Sequence, residues 1–275
     1  MPTNLEIRIL FCYSPEVLQY TYGNNKKFLK IDNEELCRVT QDIFNSNITK
    51  YNVLVTAVKH LRVDNLQDRA GTPNKSLSTK QVGELAECTL SSNNLMNRAL
   101  YGKLPDKLLK LKTKFNATVL VLQVLLNTFS SKYIGRAATI GVQEIRDNTV
   151  VIARGIRIKN LPTTWVNSSI LAHEFGHLMG CLHPQDLRNG VKNQPGFDNS
   201  SPNTNNHGDC IIDPYTGNIV TGTIMSYAEQ PILYYSNPTI FKYPAPYQNV
   251  ACGMRGLSEA YLTVNNNIQK LAGIF

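Results

Sequence analysis

The sequence predicts an α/β chain: a twisted, mostly parallel sheet with helices, followed by a smaller, irregular C-terminal part. Three observations predict it. Apolar runs of strand length alternate with amphipathic stretches of helical length through about residue 180, the pattern of strands joined by crossover helices. The run Ala117 to Leu126 (ATVLVLQVLL) is almost continuously apolar, as a strand covered on both faces should be. After His183 the composition shifts to Asn, Gly, Pro and Asp, with little that could form a core. With 275 residues, 42% of them hydrophobic, the chain can hold one large domain. We read residues 1–275 as a single domain, with an upper part of about 1–180 and a lower part of about 181–275. A cleft would run between the two parts.

Leu5 to Tyr13 (LEIRILFCY) reads as the first strand, broken by Ser14-Pro15. Glu34 to Asn47 places Leu36, Val39, Ile43 and Phe44 at helical spacing, with Asp32 or Asn33 as cap. Tyr51 to Val63 is rich in β-branched residues and reads as a second strand, with His60 a structural residue in it. Gln67 to Ser76 is a polar loop, Ser78 to Tyr101 is mostly helical, and a short helix follows from Pro105 to Lys114. Ala117 to Leu126 is the buried strand, and Asn127 to Arg136 a loop. Ala137 to Val142 and Thr149 to Arg154 are two further strands around a polar turn at Asp147-Asn148. The second of these is expected at the sheet edge, where an extended peptide could add as another strand. Thr163 or Thr164 opens a helix ending near Gly180, and Leu187 to Gly208 is a long loop.

Charge and composition exclude several classes. The net charge is +8, but the basic residues are scattered, so no nucleic-acid partner is expected. No run reaches the length of a membrane span. The start, Met-Pro-Thr-Asn-Leu, lacks a basic segment followed by an apolar one. We expect an extracellular, secreted protein with any leader removed, or alternatively an intracellular effector. A monomer is expected. Six cysteines permit disulfides, and a bond from Cys181 to Cys210 would pin the loop after Gly180. Five N-x-S/T sequons, at Asn47, Asn74, Asn116, Asn167 and Asn199, are no more than so Asn-rich a chain carries by chance.

The run from His173 to His183 reads H-E-x-x-H-x-x-G-x-x-H. His173 and His177 stand four residues apart, which puts both imidazoles on one helix face, able to bind one ion. Glu174 can reach a water on that ion without being a ligand, so it suits a general base. Gly180 lets the helix stop, because glycine accepts the left-handed conformation a helix end needs. The chain can then return His183 as a third ligand. Three protein ligands leave a fourth position open, the catalytic pattern of zinc. His207 is the weaker alternative for the third ligand.

Gly222-Thr223-Ile224-Met225-Ser226-Tyr227 lies about 42 residues beyond His183. With the long histidine motif, it resembles the methionine turn of the metzincin zinc peptidases. The first strand, the helix after Asp32, ATVLVLQVLL, TWVNSSILAHEFGHLMG, GTIMSYAEQ and YYSNPTI are similar in order to the reprolysin-like (adamalysin-type) branch. The resemblance implies a zincin-like fold with the zinc helix at the cleft, and a zinc endopeptidase acting on proteins or peptides bound as extended strands. It implies Zn2+ on His173, His177 and His183, Glu174 as the base, and Met225 as an apolar floor beneath the metal; Tyr227, two residues after Met225, resembles the tyrosine of the astacin and serralysin groups and would touch the metal or the tetrahedral intermediate. It also makes Ala228 to Pro238 the wall of an apolar substrate pocket with Leu233, Tyr234 and Tyr235, and Arg255 to Leu271 a closing helix. The chain departs from that branch at Pro184, where an Asp is usual. The competing function is a catalytically inactive zinc-binding module acting through protein–protein interaction.

Overall fold

The computed structural model describes residues 2–63, 110–125, 135–142, 148–154, 163–185, 204–213, 215–226, 228 and 231–274. The loop expected at 67–76, the helix at 78–101 and most of the loop at 187–208 lie outside the described residues.

The described elements are β1 (Thr3–Tyr13), α1 (Lys26–Asn47), β2 (Tyr51–Arg62), β3 (Val119–Leu125), β4 (Gly135–Ala137), β5 (Thr149–Arg154), α2 (Thr163–Met179), the hairpin strands β6 (Cys210–Ile212) and β7 (Ile219–Gly222), and α3 (Ala260–Leu271). A π-helical turn at Val17–Thr21 follows β1. The sheet order is β2-β1-β3-β5-β4. The first four strands are parallel, and β4 runs antiparallel to β5. Among the described residues no helix is long and apolar enough to cross a membrane.

Side-chain alternation splits the sheet into two buried faces. Leu5, Ile7, Ile9 and Phe11 of β1, Val119 and Val121 of β3, and Val150 and Ile152 of β5 face one cluster. Leu10 and Cys12, Leu120, Leu122 and Val124, and Val151 face the other. Both faces are covered, which explains the unbroken apolar run in β3. The first cluster also takes in Phe175 and Leu178 of α2, Met225, Tyr235, and Val264 and Ile268 of α3. A single core therefore carries residues from both halves of the chain.

Several expectations change. The strand at Thr149–Arg154 is internal, between β3 and β4; among the described strands the edge on that side is β4, formed where the chain returns antiparallel. Of the expected strand Ala137 to Val142 only Ala137 lies in the sheet, and β4 instead takes in Gly135 and Arg136 of the expected loop. Beyond Ala137 its backbone leaves the sheet, and the N–H groups of Gly141 and Val142 donate to the carbonyls of His177 and Leu178 at the end of α2. Helix α1 also begins earlier than periodicity suggests. Asn25 caps it, accepting from the N–H groups of Lys27 and Phe28, while Asn33 is buried one side-chain length from β3. There Gln123 Nε2 donates to Asn33 Oδ1 at 2.6 Å, so the one polar residue of the apolar strand is satisfied across the core.

The sequons at Asn47 and Asn167 are buried. Asn47 Nδ2 donates to the carbonyls of Ile43 and Leu233, and its Oδ1 accepts from the Tyr235 N–H.

Replacing Gln123 with Ala strands the Asn33 amide in the core. Unfolding in urea should show a loss of about 1–3 kcal/mol, and adding Asn33→Ala should cost much less than its effect alone.

Candidate metal centre

Helix α2 supplies two imidazoles to one point, and the loop beyond it supplies a third. His173 Nε2 lies 3.2 Å from His183 Nε2, and His177 Nε2 lies 3.1 Å from the same atom. Two nitrogens bound at about 2.0–2.1 Å to one tetrahedral ion would stand roughly 3.3 Å apart. The spacing therefore fits a shared ion, and His173, His177 and His183 form a group able to hold one.

The hydrogen bonds on the far side of the rings support this. His173 Nδ1 lies 2.7 Å from the Ile224 carbonyl, and His177 Nδ1 lies 2.8 Å from the Cys181 carbonyl. A carbonyl only accepts, so each Nδ1 carries the proton and each Nε2 is left as a lone pair. Those two lone pairs both face His183 Nε2. A proton there could serve one of them, not both, whereas a cation serves all three.

Helix α2 ends where the third ligand needs it to. Gly180 has φ +101°, the left-handed region. Its N–H donates to the His177 carbonyl and the Cys181 N–H to the Gly176 carbonyl, the paired bonds of a Schellman end. The chain then doubles back with His183. Gly176 serves a different purpose. A Cβ there would drive into the Met225 sulfur and meet the Tyr235 ring at 3.0 Å, so the turn 223–226 packs directly on the helix between the two histidines. Met225 is fully buried there.

Glu174 is buried beside this centre. A Cβ built on Gly135 of β4 would meet Glu174 Oε1 at 2.5 Å and Ile170 Cγ2 at 2.8 Å, so the edge strand lies against the carboxylate. Sequence reasoning missed Gly135, because it sits in a short strand with no motif. It also missed the carbonyls of Ile224 and Cys181, which no side chain announces.

The remaining expectations resolve as follows. His207 is not a ligand: its Nδ1 bonds the His183 carbonyl at 2.8 Å and its Nε2 faces Gln185 and Thr204. His60 stacks on Phe11 with ring centroids 5.6 Å apart and takes no part. No disulfide joins Cys12, Cys37, Cys181, Cys210 and Cys252 to one another, so the expected Cys181–Cys210 bond is absent. Cys181 is instead buried with its thiol 3.7 Å from the Ala260 carbonyl at the start of α3, and its position is held by main-chain bonds. Tyr235, expected in the wall of a substrate pocket, is fully buried and its hydroxyl donates to the Ala172 carbonyl at 2.7 Å. Pro184 is buried after the third histidine. Tyr227 lies outside the described residues.

Burial pushes the His173 imidazole down to about 3, with the neighbouring His177 adding to the shift. His183 is likewise pushed well below its ordinary value, first by burial and then by the charges of His177 and His173. Both therefore stay neutral, and competent to bind a metal, through mild acid. The linkage has a definite sign. Below the ordinary histidine value near 6.5 the unfolded chain takes up protons that the folded chain refuses. Stability of the metal-free protein should be complete above pH 6.5 and fall progressively toward pH 3, the value held by His173. Thermal melts across that range check it, and His173→Asn should flatten the profile.

No family model matches the chain, and no curated protein matches it. Among solved structures, a chain in the "Structure of a chaperone-substrate complex" is similar, with a TM-score of 0.53 and 16% identity. The alignment covers 98% of this chain but 35% of that one, so this chain spans about a third of its length. At that identity the likeness is one of fold.

Proposed function

We propose that the protein is a zinc-dependent endopeptidase of the metzincin type, similar to its reprolysin-like branch. One observation carries the reading: a buried carboxylate, Glu174, stands one residue past the first of three convergent histidines and directly under the edge strand of the sheet.

His173, His177 and His183 would hold the zinc. When bound, the ion supplies Lewis acidity toward a carbonyl and makes a water acidic enough to ionise near pH 7. Glu174 accepts the proton of the attacking water and passes it to the leaving nitrogen, one group serving as base and then acid. Strand β4 offers the means of holding the substrate. Among the described strands only β5 pairs with it, so an extended peptide could lie along its other side as a further strand. That would carry the scissile bond past Gly135 and across Glu174. The resemblance alone assigns Tyr227 to the metal or the tetrahedral intermediate. It also carries the extracellular setting.

The test is cleavage of a peptide library with zinc quantified in the same preparation. Glu174→Ala should lower turnover by about 10²- to 10⁴-fold while zinc stays bound. A wild type that holds zinc yet cuts nothing overturns the reading in favour of an inactive zinc module.

Gly135→Ala probes the edge strand. The new methyl meets the Glu174 carboxylate and Ile170 Cγ2, so both side chains must shift to admit it. We expect a fall in kcat on the order of 10²-fold, with zinc content nearly unchanged and a modest drop in melting temperature from the crowded Ile170.

A further inference from the structure

The segment from Thr204 to Asp209 makes a set of contacts that neither the ligand set nor the proposed hydrolysis uses. It runs beside the loop of the third histidine. Leu182 and His207 form a parallel bridge. The Leu182 N–H donates to the Asn206 carbonyl at 3.0 Å, and the Gly208 N–H donates back to the Leu182 carbonyl at 2.9 Å. Asn206 Nδ2 donates to the Gly180 carbonyl at 2.5 Å. Its other side holds the turn beneath the metal centre: Asp209 and Thr223 exchange bonds at 2.9 Å, Asp209 N–H to Thr223 Oγ1 and Thr223 N–H to the Asp209 carbonyl.

His207 is the centre of this strap and is fully buried. Its Nδ1 faces the His183 carbonyl at 2.8 Å, so Nδ1 carries the proton. Its Nε2 is then the acceptor, with Gln185 Nε2 at 3.1 Å and Thr204 Oγ1 at 3.2 Å as donors. The Ser236 hydroxyl donates to the His207 carbonyl at 2.5 Å and fixes its backbone. His173 and His177 are aimed by a helix. His183 stands in a stretch with no regular structure, and the bond from His207 is what its main chain receives in place of one.

We propose that His207 is the positioning residue for His183. It holds the third ligand's main chain from the carbonyl side, so that the imidazole is in place before the metal arrives. Gln185 and Thr204 keep the His207 ring in the tautomer that donates. The inference rests on the metal-site reading and is independent of peptide hydrolysis.

The test is zinc affinity of the full chain, by competition with a chromophoric chelator, together with the visible spectrum of the cobalt(II)-loaded protein. His207→Ala should weaken zinc binding by about 10- to 100-fold and change the cobalt spectrum. His207→Asn, whose amide N–H can replace the Nδ1–H, should recover most of the affinity and the wild-type spectrum. Melting of the metal-free variants separates this from a loss of fold. If His207→Ala does not fold, Thr204→Val combined with Gln185→Leu removes both donors to Nε2 and should weaken binding in the same direction. Unchanged affinity in the variant that folds overturns the proposal, as does an Asn variant as weak as the Ala variant. A wild type that binds no zinc overturns the metal site itself.

Discussion

The arrangement depends on where two imidazole protons go. His173 and His177 each give the Nδ1 proton to a backbone carbonyl, of Ile224 and Cys181 respectively. This choice turns both Nε2 lone pairs to the same side of α2 and toward His183. It also fixes what each carbonyl's segment must do. The turn 223–226 must lie under the helix at His173, and the helix must end by Cys181 for its carbonyl to reach back to His177. The Schellman end at Gly180, the bare backbone at Gly176 and the burial of Met225 all follow from these two bonds.

The same helix is held from every direction by groups that do no chemistry. Gly141 and Val142 cap its last carbonyls, the Tyr235 hydroxyl takes the Ala172 carbonyl, and Phe175 stacks near Phe44 of α1 with ring centroids 6.0 Å apart. The sheet presents its edge to Glu174 through a residue without a side chain. A site built on such a packed helix would need little further ordering to take an ion.

Elements with a strong local signal were legible in the sequence. Strands β1, β2, β3 and β5 and helix α2 fall where period and length place them, because each buries a whole face. The pair His173 and His177 was legible from spacing alone, since four residues make about one helical turn, and His183 from the Gly180 that ends the helix before it. What escaped depends on partners remote in sequence. The antiparallel return of β4 cannot be seen in three residues, and it moved the sheet edge away from β5. Asn33 looked like a cap, being a polar residue before an apolar run, but it faces Gln123 ninety positions away. His207 looked like a ligand of last resort; its role lies in a bond to a carbonyl, which carries no mark in the sequence.

The burial of Asn47 has a consequence for how the chain matures. Attachment of an N-linked glycan precedes folding and needs only an accessible Asn-x-Ser/Thr. Asn47 satisfies that rule in the nascent chain. In the finished fold its amide joins α1 to the segment after the Met225 turn, through Ile43, Leu233 and Tyr235. Asn167 is similarly enclosed in α2. A sugar on either nitrogen and the native core are mutually exclusive. The native packing around these two amides therefore forms only on chains that carry no sugar at either position.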